Sequence, residues 1–190
     1  PTRRSSDLPE GFTVEATANG SATNVSDDGK NVVNDGYVIK DAAGNDKTSN
    51  FTNVTKVDGT LTINPAPVTI ATGSDSKTYD GTALTKDGTA TFNSTDTTLT
   101  AGTATTVTLA NNETVTITVT GSQTEVGGEA KNNTYSIDWG TTTATNYELT
   151  EDLGTLTVTT SDAEVTLTAP SDSKTYDGTA LTAPGTAEKP

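Results

Sequence analysis

The chain has 190 residues, with 11 Lys plus Arg against 25 Asp plus Glu for a formal charge of -14, and it contains no Cys, His or Met. Those absences exclude thiolate zinc sites, Ser-His-Asp and Cys-His nucleophiles, and imidazole pH switches. An acidic chain whose few Lys are scattered also lacks the basic cluster that phosphate neutralisation requires, so no nucleic-acid partner is expected.

Thr supplies 45 residues, and Asn, Asp, Ser and Gly fill much of the rest, a profile that favours strands and turns over helices. Hydrophobic residues make up 30% and aromatic residues 5%, so any core must be thin and built from Val, Ile, Leu and a few rings. The apolar stretches are only a few residues long, far short of the roughly 20 that a membrane-spanning helix needs, so no membrane insertion is expected in this segment.

Both arginines, Arg3 and Arg4, stand in the opening octet PTRRSSDL. DNA resembling a sequencing-library adapter can encode that octet, and 1–8 is therefore expected to be a non-native segment. No signal peptide or starting Met is visible, which suggests an internal piece of a longer protein. Strands are predicted over Phe12 to Ala18, Gly36 to Ile39 and Gly59 to Ile63. Asp27-Asp28-Gly29 and Asp41 to Asp46 read as solvated acidic turns rather than calcium loops, since the D-x-[DN]-x-[DN]-G pattern is missing.

Asn64-Pro65-Ala66-Pro67 reads as a stiff joint, because each proline fixes φ and removes a ladder donor. Beyond it, strands are predicted over Pro67 to Thr72, then Val107 to Leu109 and Val115 to Val119 joined by a tight turn at Asn111-Asn112, then Thr134 to Asp138, Leu156 to Val158 and Glu164 to Thr168. Residues 86–105 read as a long polar insertion. No window carries apolar residues at helical spacing, so helix should be scarce or absent.

A repeat organises these elements. SDSKTYDGTALT occupies Ser74 to Thr85 and recurs identically at Ser171 to Thr182, 97 residues later. The flanks agree: AxVTI at Ala66 to Ile70 matches AxVTL at Ala163 to Leu167, and GTLTI at Gly59 to Ile63 matches GTLTV at Gly154 to Val158. More weakly, Asn24 to Ile39 resembles Glu125 to Ile137. The domain reading follows: 9–63 is the C-terminal part of a truncated unit, 64–67 a Pro-rich linker, 66–160 a complete unit, and 163–190 the opening strands of a third. Short alternating strands with one apolar face suit an all-β chain of tandem small β-sandwich or β-grasp-like modules arranged as an elongated rod. The predicted core of the complete unit is Tyr79, Leu84, Val107, Leu109, Val115, Ile117, Tyr135, Ile137, Tyr147, Leu156 and Val158.

The motif KTYDGTALT at Lys77 to Thr85 and Lys174 to Thr182, with the junction GTLTI-NPAPVTI at Gly59 to Ile70, resembles the MBG and YDG repeat domains of bacterial surface proteins. The resemblance spans essentially all of 9–190. It implies an extracellular, cell-surface or secreted location and a stalk or adhesion role without catalytic residues or cofactors. Neighbouring repeat units are the implied partners, with host or matrix glycans and glycoproteins as further candidates. The alternative function is a carbohydrate- or host-glycoprotein-binding module acting through end loops.

No catalytic, cofactor-binding or metal-ligating residue is singled out. The rings proposed as ligand contacts are Trp139 and Tyr135, set against the competing reading of Trp139 as core or as a cap over the sheet end. Tyr79 and Tyr176 precede the Asp-Gly turns and are expected to plug the ends of small cores. Lys77 and Lys131 are the repeat-unit lysines in or near strands, but no sequence signature singles either out for an intramolecular isopeptide crosslink.

Overall fold

The computed structural model describes residues 8–27 and 29–185, so residues 1–7 of the opening octet, Asp28 and the closing residues 186–190 lie outside the described residues. The described chain is all-β. It contains no α-helix, and short 3-10 turns stand at Thr48–Asn50, Ala110–Asn112 and Ala144–Asn146.

Fourteen strands follow in order. The first five are β1 (Thr13–Glu15), β2 (Ala18–Asn19), β3 (Gly29–Val33), β4 (Val38–Lys40) and β5 (Gly59–Leu61). The complete unit contributes β6 (Ala66–Thr72), β7 (Asp75–Thr78), β8 (Gly88–Phe92), β9 (Thr95–Leu99), β10 (Thr105–Thr108), β11 (Thr114–Val119), β12 (Tyr135–Asp138), β13 (Tyr147–Asp152) and β14 (Leu156–Thr159).

In residues 66–159 a four-stranded sheet, β13-β6-β8-β9, shares one core with a three-stranded sheet, β10-β11-β12. Alternation decides which side chains enter. Val68 and Ile70 of β6 and Ala90 and Phe92 of β8 meet Val115, Ile117 and Val119 of β11, while the intervening Thr residues face outward. Burying a side chain such as Ile70 or Ile117 contributes roughly 1.5–3 kcal/mol. A smaller cluster of Leu84, Leu156 and Val158 lies under a second ladder, β14 on β7.

The two ladders are one bent ribbon. β6 pairs in parallel with β13, Tyr147 opposite Ala66, and β7 pairs in parallel with β14, Leu156 opposite Asp75, so the same register runs through both. At the bend Thr72 Oγ1 accepts from Gly154 N at 2.9 Å and donates to Asn133 O at 2.6 Å. A Cβ at Gly154 would stand 2.2 Å from Gly73 O, so glycine is required for the two backbones to approach there. Asn133, fully buried, donates from Nδ2 to Gly73 O at 2.8 Å and Lys86 O at 3.0 Å.

The sequence expectations are met unevenly. Eight of the predicted core residues are buried, and Tyr135 and Ile137 pack half-buried against the core. Tyr79 does not: its backbone N–H continues the ladder to Thr159 O at 2.8 Å, but the ring stays exposed because a cluster of three aliphatic side chains cannot enclose it. Tyr176 is likewise exposed. Residues 86–105 are not a polar loop but carry β8 and β9, whose Ala90, Phe92 and Leu99 are core, and whose reversal at Asn93-Ser94 uses positive φ at both positions. Asn111 and Asn112 do make the expected reversal, also at positive φ, with Leu109 N bonded to Glu113 O at 2.7 Å. The predicted strand at Glu164 to Thr168 does not form, since among the described residues nothing pairs with it or covers it.

Residues 8–61 form smaller sheets, β1 with β4 and β2-β3-β5, all antiparallel. They meet the complete unit at Asn146, whose Oδ1 accepts from Val25 N at 2.9 Å and whose Nδ2 donates to Asn24 Oδ1 at 2.8 Å.

Candidate functional site

The repeated dozen residues build a small cage around an aspartate. Gly81, at φ +78°, turns the chain so that Asp80 Oδ1 accepts from Thr82 N at 2.9 Å and Thr82 Oγ1 at 2.8 Å. Lys77 Nζ closes the cage on Asp80 Oδ1 at 2.6 Å, Thr82 Oγ1 at 2.7 Å and Thr82 O at 2.5 Å. The Lys77 ammonium and the two Thr82 donors hold the Asp80 carboxyl well below the usual carboxylate range. All three ammonium protons are engaged inside one turn. A covalent bond between Lys77 and Asp80 would therefore close a local loop rather than tie two strands together.

The same cage forms in the second copy. Gly178 has φ +79°, Asp177 Oδ1 accepts from Thr179 N at 2.9 Å, and Lys174 Nζ lies 2.9 Å from Asp177. The Asp177 carboxyl is again held low, chiefly by Lys174.

The two candidate ligand rings bracket β12, Tyr135 opening the strand and Trp139 following its last residue. Trp139 follows β12 and stacks on Tyr147, with centroids 5.9 Å apart and planes at 28°, and Tyr147 meets Phe92 edge-on at 6.2 Å. Tyr135, on β12, donates its hydroxyl to Glu151 Oε1 of β13 at 2.5 Å. Burial, reinforced by that carboxylate, pushes the Tyr135 phenol well above its ordinary value; burial and Glu113, 2.6 Å away, push Tyr147 up to about 12. Trp139 and Tyr135 thus pack against the core that includes Tyr147, and the hydroxyls of Tyr135 and Tyr147 hold carboxylates of neighbouring segments.

The acidic turns satisfy themselves. Asp27 Oδ2 accepts from Thr23 N and Asn24 N, and Asp41 Oδ1 accepts from Ala43 N and Asn45 N, which lowers both carboxyls. Among the described residues no three carboxylates converge as a metal site would require, and no helix is long and apolar enough to cross a membrane.

A cleft of about 520 Å³ with mixed apolar and polar lining opens in residues 8–57. Val14, Val33, Tyr37, Ile39, Phe51 and Val57 line it, and Phe51 is braced edge-on by Phe12 at 5.7 Å. Nothing in the sequence marks this cleft as a site; of its lining, Val14, Ile39 and Phe51 stand where Ile117, Ile137 and Tyr147 stand in residues 66–159. Neither Trp139 nor Tyr135 lines it. Comparison with known proteins finds no matching family model, no matching curated protein and no matching solved structure.

Proposed function

We propose that this chain is a non-catalytic tandem-repeat stalk or adhesion module of a bacterial surface protein, exposed outside the cell and projecting a binding region away from it. The observation that carries this reading is the pairing of the first and last strands of the complete unit. The ribbon 66–78 runs parallel to 147–159, so the chain enters the unit at one end of the ladder and leaves it at the other. At about 3.3 Å per residue the ladder is about 40 Å long along its contour. Units joined in this way string out head to tail as a rod. Tension applied through the chain loads every hydrogen bond of the ribbon together, in shear, instead of opening them one at a time.

The repeated KTYDGTALT motif and the Pro-containing joint support the same reading through their resemblance to MBG and YDG repeats. The acidity agrees with it as well, because like-charged modules repel and stay extended. The rival glycan-binding reading loses the long loop that favoured it, since 86–105 is β8 and β9.

Single-molecule pulling tests the role. The chain has no Cys, so cysteine handles are unique. Handles at Asn64 and Ser161 load the ribbon in shear; handles at Asn64 and Thr145 peel β6 from β13 from one end. The shear geometry is expected to rupture at several-fold higher force, and equal forces would remove the load-bearing role.

A further inference from the structure

Two short stretches of residues 8–61 recur in the complete unit, and across the joint one of each kind meets the other. Gly20 to Val25 reads GSATNV, and Gly121 to Val126 reads GSQTEV. The 3-10 turn Thr48–Asn50 leads into Phe51 as Ala144–Asn146 leads into Tyr147. The loop of the first part touches the turn of the second. Val25 N donates to Asn146 Oδ1 at 2.9 Å, and Asn146 Nδ2 donates to Asn24 Oδ1 at 2.8 Å.

Both surfaces are built from within. In the loop, Asp27 Oδ2 accepts from Thr23 N at 2.7 Å and Asn24 N at 2.8 Å, and Asp27 N donates to Asn24 O at 3.1 Å, so the turn is closed and Val25 N is left for an outside acceptor. In the turn, Asn146 N donates to Thr143 O at 3.0 Å, and the next residue, Tyr147, is held in the core by Trp139 and Phe92. Surfaces ordered in advance lose little freedom on docking, and the short stretch 62–65 between β5 and β6, with Pro65 in it, keeps them within reach of each other.

A unit with all its strands presents the same loop. In residues 66–159 Gln123 pairs with Leu84, yet Glu125 is exposed and Val126 is 50% exposed. Glu125 stands where Asn24 stands in the shared sequence. A carboxylate at that position accepts from an asparagine amide as the Asn24 carbonyl does.

We propose that these two surfaces are a joint encoded in the repeat: the loop that closes GSxTxV in one unit docks on the asparagine that precedes the core aromatic ring of its neighbour, and sets the angle between the two. The partner that Asn146 fits is a turn offering one backbone N–H beside one side-chain acceptor, and its amide, with one acceptor and one donor end, engages both together. Because the contact joins two different surfaces, it passes from unit to unit in one direction. Without it, units on so short a linker would still swing about Asn64-Pro65. The inference concerns orientation in solution and stands apart from the stalk reading, which concerns location and load.

Pulsed electron-spin distance measurement tests it on the full chain, which has no native Cys. Labels at Thr60→Cys and Thr98→Cys, both exposed, report across the joint, and labels at Thr98→Cys and Thr108→Cys report within the complete unit. With Asn146 intact, one narrow distance distribution is expected across the joint. Asn146→Ala is expected to broaden it several-fold while the distribution within the unit stays narrow, and Asn24→Ala to broaden it less, because the Val25 bond remains. Asn146→Asp keeps an acceptor for Val25 N, and Asn24 can turn its amide to donate to the second oxygen, so the narrow distribution is expected to survive. Should Asn146→Ala disturb the unit itself, Asn24→Ala on the other surface decides alone. A broad distribution with Asn146 intact would overturn the proposal. So would an unchanged width in Asn24→Ala and Asn146→Ala, or broadening by Asn146→Asp as large as that by Asn146→Ala.

Discussion

Ser74 to Thr85 and Ser171 to Thr182 are the same twelve residues in two settings, and they fold alike only in part. The turn is common to both: Gly81 and Gly178 take the same left-handed φ, and each Asp accepts from the Thr two residues on. The strands are not common to both. Asp75–Thr78 is β7, laid on β14, while among the described residues no strand pairs with the matching residues 172–175. The turn is thus encoded within reach of its own side chains, whereas the strand is encoded jointly with a partner some 80 residues away. Energetics explains the division. Fixing each backbone residue costs about 1–2 kcal/mol, and a hydrogen bond returns a net of about 0.5–1.5 kcal/mol, so an extended segment needs a buried face to remain extended.

The sharpest way to break the comparison is to make one substitution in both settings. Ile70→Ala removes a fully buried side chain from the middle of β6 and is expected to destabilise the unit by about 2–5 kcal/mol. Leu167→Ala, at the corresponding position of the exposed copy, is expected to change stability by less than about 0.5 kcal/mol. Chemical denaturation of the full chain at low concentration measures both. Similar losses would mean that 163–175 is already covered.

A smaller effect is expected at the bend that the exposed copy lacks. Asn133, itself buried, holds the carbonyls of Gly73 and Lys86, and Asn133→Ala leaves both acceptors without that donor. The expected loss is about 1–3 kcal/mol, read by the same denaturation experiment. Hydrogen exchange should localise it, with the amides of Gly154 and Thr155 losing protection before those of β11. Uniform loss of protection across the unit would instead mark Asn133 as part of the main core.

The same contrast explains what was legible in the sequence. Hairpins with Val, Ile or Leu alternating with Thr, such as Val107 to Val119, carry their signal in their own residues, as does each Asp-Gly turn. β8 and β9 do not. Their inward positions are Ala90, Phe92 and Leu99, widely spaced among Thr, Ser and Asp, and only the sheet to which they belong makes them core. β13 is hidden for a related reason, since YELTED exposes its carboxylates and owes its strand state to the parallel register with β6. The exposed Glu164 to Thr168 shows the converse: a strand-like pattern with no partner remains unpaired. The cleft could be read only after the fold had shown which positions of the complete unit face inward.

The smallest expected effect tests the half of the comparison in which the two copies agree. In both cages a lysine three residues before the aspartate is the main cause of its lowered carboxyl pKa. Both aspartates lie below their unfolded value, so each contributes stability to its turn above about pH 4 and loses it as pH falls through the depressed value. If the cage is local, Asp177 should be depressed even though its strand is unpaired, and Lys174→Ala should raise its pKa as Lys77→Ala raises that of Asp80. Carboxyl-detected NMR titration of the two side chains measures this directly. An ordinary pKa at Asp177 beside a depressed one at Asp80 would show that the turn, too, depends on the ladder, and would move the boundary between local and partnered structure inside the twelve residues.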